Sequence, residues 1–288
     1  NVNYINMFSD RVEYKQSDLL KYASSINIAY FLKVKKRKSR NPNGISETTA
    51  RNVMSNLKTF VKQAQKKKYI LGINLNDDSL NYKISPNAKA ELFYTNELLE
   101  KIYDFQPKSL KTKLAKEYIL IAALTGMRYQ SVVLLKDYKL KELFNQTGEK
   151  FYAITNMSRK TGNELLSPIF KPVGEIYKFH GKFPDFPDLV TLNTYIRQLF
   201  KEMNVSDLIK YVEHIYGGEI IETKKLVADV ASSHDNRGSF ITNLNLLDVD
   251  PLIVKKMTHE HIYERSSHQI YLKRSMDDLA IQFYNKTK

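Results

Sequence analysis

Residues 232–243 read Ser-Ser-His-Asp-Asn-Arg-Gly-Ser-Phe-Ile-Thr-Asn. The pattern predicts the start of a helix, with Ser232 and Ser233 as N-cap candidates. His234 and Arg237 are three positions apart, which makes them neighbours on one helical face. An imidazole and a guanidinium together at a helix N-terminus suit a phosphate. Taken alone, the pair also fits an ordinary surface contact, so the rest of the chain has to decide what it is for.

Three other places carry residue types of the same chemistry. Upstream, the apolar run Tyr-Ile-Leu-Ile-Ala-Ala-Leu-Thr-Gly ends at Gly126, which breaks or caps a helix and leaves Arg128 at its mouth. Between them, Ser158-Arg159-Lys160-Thr161-Gly162-Asn163 separates two strand-like runs, 151–155 and 165–170, and is expected at the tip of a β-hairpin. Downstream come Met257-Thr258-His259 and then Ser266-Ser267-His268-Gln269-Ile270-Tyr271-Leu272-Lys273. Each of these alone is commonplace, and the chain has 19 tyrosines.

Charge narrows the class of partner. The 288 residues carry a formal +14, and the surplus is uneven. Residues 1–90 hold 17 basic and 6 acidic side chains, against 28 and 25 in the remainder. A basic module joined to a nearly neutral one is the usual footprint of a polyanion-binding protein. Hydrophobic residues at 42% exclude global disorder, and no apolar run approaches the length of a membrane span. There is no cysteine, hence no disulfide, thiolate metal site or thiol nucleophile, and the six histidines show no zinc-type spacing.

Periodicity predicts two domains. Segment 17–34 has helical apolar spacing and runs into a basic loop containing Lys35, Lys36, Arg37, Lys38 and Arg40. A second helix follows Ser46, with Val53, Leu57, Phe60 and Val61 expected on its buried stripe. Its opposite face carries Arg51, Lys58, Lys62 and Lys66, placed to lie along phosphates. Residues 71–93 are polar and turn-rich and read as a linker. The expected division is a helical DNA-binding domain over 1–85, a linker to about 93, and a second domain over 94–288. Everything after about residue 188 is expected to be helical. The fold class is therefore mostly α with a small β-hairpin, an α+β chain.

Taken in chain order, these places resemble the tyrosine recombinase (phage-type integrase) family. Its members carry an Arg in a T-G-x-R motif, a Lys in a β-hairpin, H-x-x-R, a Gly-His-type motif and a C-terminal Tyr. Here the matching positions are Arg128, Lys160, His234 with Arg237, His259 and Tyr271. The run S-H-D-N-R-G-S-F-I-T-N is similar to the corresponding stretch in integrases of bacterial conjugative transposons and related phages. The sequence departs from the pattern at Gly238, at Ser131, at Thr258 before His259, and in the twelve-residue step from His259 to Tyr271. Tyr263 competes for the nucleophile's place but lies close to His259, and His268 occupies the usual spacing.

The resemblance implies a helical core-binding domain before a recombinase catalytic domain, clamped together around duplex DNA. It implies strand cleavage through a 3′-phosphotyrosyl link to Tyr271, without metal, ATP or cofactor. Arg128 and Arg237 would grip the non-bridging phosphate oxygens, a role their rigid, always-charged forks suit. His234 would help with the tyrosine proton, His259 would bond the phosphate, and Lys160 would protonate the leaving 5′-oxygen. Partners implied are double-stranded DNA at recombination sites, three further copies in a homotetramer, and accessory DNA-bending proteins, with no membrane. A cytoplasmic, nucleoid-associated place follows, and so does a role in moving a mobile element. An upstream arm-type DNA-binding domain is expected before Asn1. The final helix, with Met276, Leu279, Ile281 and Phe283 as anchors, could pack on its own domain or on a neighbour. A catalytically inactive DNA-binding protein of the same fold, a type IB topoisomerase and a plain helical regulator are the alternatives.

Overall fold

In a computed structural model of the chain, the described residues are 46–67, 92–138, 140–145, 147–157, 164–215, 219–258 and 276–287. The chain divides into two compact units, one comprising Asn1–Ala90 with Lys210–Thr223 and the other Glu91–Ile209 with Lys224–Lys288.

Within the first unit, helix α1 spans Glu47–Lys66 and is capped by Ser46, whose hydroxyl accepts from the Thr49 amide at 3.2 Å. Its buried row is Ala50, Met54, Val61 and Ala64, with Leu57 half-buried between them. The expected stripe is therefore corrected by one position. Phe60 is 56% exposed, and Val53 is only half-buried. Reading large apolar side chains alone missed that two alanines carry the ends of the 3.5-residue row. Arg51, Lys62 and Lys66 are exposed and Lys58 is half-buried.

The second unit is built around α3 (Leu110–Thr125). The hydroxyl of Ser109 caps the Thr112 amide at 3.2 Å, and the Thr112 hydroxyl accepts in return from the Ser109 amide. Beyond its first turn the helix is buried on nearly every side, from Ala115 to Thr125, which is what an all-round apolar sequence demands. Against it pack α2 (Asn96–Asp104), the short α4 (Tyr129–Leu134), α5 (Lys171–His180), α6 (Leu189–Glu202) and α8 (Asp235–Leu246).

The expected hairpin is present as β2 (Lys150–Met157) and β3 (Glu164–Pro168), antiparallel with Ala153 opposite Pro168. A strand not foreseen, β1 (Leu140–Phe144), pairs with β2 and completes a sheet of order β1-β2-β3. Its burial does not alternate, because only Leu143 is buried, so the period-2 signal was absent.

A larger correction concerns residues 208–226, expected to be helical. They form a second antiparallel sheet, β4 (Leu208–Ile215) with β5 (Glu219–Leu226), followed by the single turn α7 (Val227–Val230). Val212, Ile215, Ile220 and Ile221 flank Gly217-Gly218, and β-branched runs around a Gly-Gly pair are a hairpin signature.

After α9 (Pro251–Thr258), α10 (Met276–Thr287) packs on the sheet of its own chain, against β1 and β3. Phe283 is 1% exposed and meets Phe170 edge-on at 5.9 Å and Phe240 at 6.0 Å. Tyr284 stacks on Phe151 with ring centroids 4.3 Å apart, and its hydroxyl donates to Glu149 Oε1 at 3.3 Å. In this structure the last helix packs on the sheet of its own domain. Phe283→Ala is expected to cost about 3–5 kcal/mol by emptying that aromatic contact, read as a lowered denaturation midpoint at unchanged m-value.

Candidate active site

Gly126 ends α3 in the left-handed conformation, with φ +68°. A side chain is excluded there twice over, since a Cβ would sit 2.4 Å from Phe240 Cδ1 on α8. Past this turn the chain changes direction by 109° into residues 129–137. Met127 is buried, while Arg128 stands exposed at the corner as the N-cap residue of α4, without capping it through its side chain.

From the other side, Arg237 in the first turn of α8 donates from Nη1 to the Gly126 carbonyl at 2.7 Å. A cation here also meets the negative end of the α3 dipole. Two motifs 111 residues apart in sequence are thus joined, with Arg237 held two positions from Arg128. Ser167, buried in β3, donates to the Thr125 carbonyl at the long distance of 3.4 Å, so the hairpin strand reaches the same helix end.

His234 is exposed and takes the N-cap position of α8, with no side-chain capping bond. The serines were expected to cap this helix, and the structure reverses the roles. Asp235 Oδ2 accepts from the Ser232 amide at 2.7 Å and from the Ser232 hydroxyl at 3.0 Å. A carboxylate is the stronger acceptor, and its place at the start of the helix also suits the dipole. Burial nevertheless pushes the Asp235 carboxyl above its ordinary value, with the two bonds from Ser232 and the nearby His234 acting in the opposite direction.

Several supporting residues escaped the reading of the sequence. The Tyr94 amide donates to Ser239 Oγ at 2.7 Å, and Asn243 Nδ2 donates to the Tyr94 carbonyl at 2.9 Å. Ser239 Oγ in turn donates to the Asp235 carbonyl at 2.8 Å. Tyr94 itself is fully buried, and burial first, then the charge of Asp235, holds its hydroxyl well above the usual tyrosine value. Both backbone groups of this one residue are therefore anchored to α8. The available signal was the i, i+4 spacing of Asp235, Ser239 and Asn243, three short polar residues on one side of the helix.

No protein-family model matches the sequence, and no curated protein matches it. Solved structures do. The Tn1549 transposon integrase in complex with circular intermediate DNA superposes with a TM-score of 0.54 at 13% identity, covering 97% of each chain. The XerH site-specific recombinase bound to palindromic difH substrate, a post-cleavage complex, gives 0.55 at 16% identity, covering 99% of this chain and 74% of its own. The fold is that of a tyrosine recombinase.

In that recombinase fold, the described residues bring Arg237 to the turn that carries Arg128, and they set His234 at the head of the helix bearing Arg237. Lys160, His259 and Tyr271 lie outside the described residues, as do Lys35, Lys36, Arg37, Lys38 and Arg40. Arg51, Lys58, Lys62 and Lys66 all fall on α1. The turn at Gly126 is the part of the arrangement most sensitive to a single methyl group. Gly126→Ala should destabilise the protein by about 2–5 kcal/mol, combining left-handed strain with overpacking against Phe240. A chemical denaturation series with Gly126→Ala and Gly174→Ala, the latter at a site where an added Cβ meets only Ile169 at 3.8 Å, should show the large loss for Gly126 alone.

Proposed function

We propose that this chain is a site-specific DNA recombinase that cuts and rejoins strands through a 3′-phosphotyrosyl link to Tyr271. The observation that carries the reading is the bond from Arg237 Nη1 to the Gly126 carbonyl. It ties the Arg237 guanidinium to the turn that carries Arg128, and His234 heads the same helix as Arg237. Phosphodiester cleavage needs such a concentration of fixed positive charge, because the attacked group is already anionic and gains charge in the transition state.

The roles follow from the chemistry of each side chain. Arg128 and Arg237 bind the non-bridging oxygens bidentately, which a lysine head cannot reproduce. The tyrosine hydroxyl, ordinarily ionising near pH 10, needs help with its proton. His234 provides that help, and His259 hydrogen-bonds the phosphate. Lys160, near the hairpin tip, donates a proton to the departing 5′-oxygen. The phosphotyrosyl ester keeps the energy of the broken bond, so rejoining requires neither ATP nor metal.

Residues 1–85 act as the helical DNA-binding domain, with a linker to about 93 and the catalytic domain over 94–288. Lys35, Lys36, Arg37, Lys38, Arg40, Arg51, Lys58, Lys62 and Lys66 neutralise backbone phosphates, giving affinity that falls steeply with salt. Four copies assemble on two sites, aided by DNA-bending proteins, to integrate or excise a mobile element. The DNA complexes of the Tn1549 integrase and XerH support a double-stranded DNA partner.

A suicide substrate tests the reaction. Duplex DNA selected for tight binding to the protein, nicked beside the candidate scissile phosphates, is incubated with wild type and with Tyr271→Phe. The expected result is a covalent protein–DNA adduct that survives denaturation and disappears in Tyr271→Phe. An adduct that persists in the variant moves the nucleophile to Tyr263 or another tyrosine. Tight binding with no adduct from either protein favours a DNA-binding protein without catalysis.

A further inference from the structure

The turn that presents His234 is held by more than its own residues. Ser233, the position before it, is 8% exposed and has both backbone polar groups satisfied by asparagine side chains. Its amide donates to Asn193 Oδ1 at 2.8 Å, and its carbonyl accepts from Asn236 Nδ2 at 3.1 Å. Asn236 lies three positions further along the same segment, and the bonds from Ser232 to Asp235 are equally local. Asn193 is different, because it reaches the turn from α6, 40 positions earlier in the chain.

Helix α6 is a stiff platform for such a contact. Leu192, Ile196, Leu199 and Phe200 are fully buried in the main core. Asp188 caps the helix by accepting from the Val190 and Thr191 amides at 3.0 and 3.1 Å. The Asn193 side chain leaves this helix one residue after Leu192, so its oxygen has a defined position. His234 is exposed, and its own backbone is helical at φ −74° and ψ −28°. Where its imidazole points therefore depends on the orientation of the peptide just before it.

We infer that Asn193 is a positioning residue for strand cleavage, acting through Ser233 to aim His234 at the reacting phosphate. The inference rests on the proposed role of His234. Without the asparagine oxygen, the Ser233 amide loses its buried partner and the turn relaxes at the point where the imidazole leaves it. Displacements on the order of 1 Å at a catalytic group cost up to about 100-fold in rate.

The test combines kinetics with a direct signal from the imidazole. Adduct formation on the nicked substrate is measured for Asn193→Leu, His234→Ala and the double variant, at saturating DNA. Histidine-labelled protein then gives the His234 ring resonance, identified by its loss in His234→Ala, across a pH titration. Asn193→Leu should slow adduct formation by roughly 10- to 100-fold with DNA affinity unchanged. In the His234→Ala background it should add no further loss, and it should shift or broaden the His234 resonance alone. Asn193→Asp, which keeps the acceptor oxygen, should leave that resonance in its wild-type place, and Asn193→Ala, which removes the acceptor with a smaller side chain, is read in the same way where the leucine variant does not fold. A wild-type rate and an unmoved resonance in Asn193→Leu would overturn the inference, as would losses that simply add to those of His234→Ala. If His234→Ala cleaves as wild type does, the reading of His234 fails instead, and the resonance decides alone whether Asn193 orients the ring.

Discussion

One hydrogen bond, from the Arg237 guanidinium to the Gly126 carbonyl at 2.7 Å, ties the end of the most buried helix to the start of the helix that carries His234. It stands on two conditions. Gly126 must be left-handed to end α3 with its carbonyl turned outward, and it must lack a side chain for Phe240 to close over it. A charged-donor bond of this kind contributes about 1.5–3 kcal/mol. More consequential is its geometry, because it fixes where the Arg237 guanidinium lies relative to the end of α3. Arg128 inherits a defined place from the same turn, at the corner where the chain bends by 109°.

Helix α8 serves three purposes on three sides. Asp235, Ser239 and Asn243 face polar partners and anchor the helix to Ser232 and Tyr94. Phe240 and Leu244 join Val249, Ile253, Val254, Met257 and Phe283 in a second apolar cluster, so the C-terminal helix α10 packs on the same element. The remaining side begins with His234 and Arg237. There Arg237 holds the Gly126 carbonyl, so this side, too, is tied to the core of the unit.

Much of this was legible in the sequence, and the parts that were not have identifiable causes. The helix that ends at Gly126, the hairpin of β2 and β3, and the class of fold could be read from periodicity and from Gly126 as a stop. The order of the motifs around Arg128, His234 and Arg237 pointed to the fold that the integrase and XerH structures share. The β4–β5 hairpin leaves a weak periodic signal because Lys, Glu and His interrupt its apolar residues. The capping roles of Ser232 and Asp235 were reversed because composition ranks both as good caps and only geometry says which reaches back. Asn193 and Tyr94 were invisible, since a bond between residues 40 or 149 positions apart leaves no local pattern.

The claim on which the account turns is that Arg237 acts through directed N–H groups, one of them holding the Gly126 carbonyl. Arg237→Lys tests it by keeping the charge and removing the fork. Cleavage of the nicked substrate should fall by roughly 100-fold or more, in the range seen when one preorganised transition-state donor is lost, while DNA affinity stays near that of wild type. Cleavage by Arg237→Lys at the wild-type rate would contradict the account, because a single ammonium would then suffice where directed N–H groups are claimed.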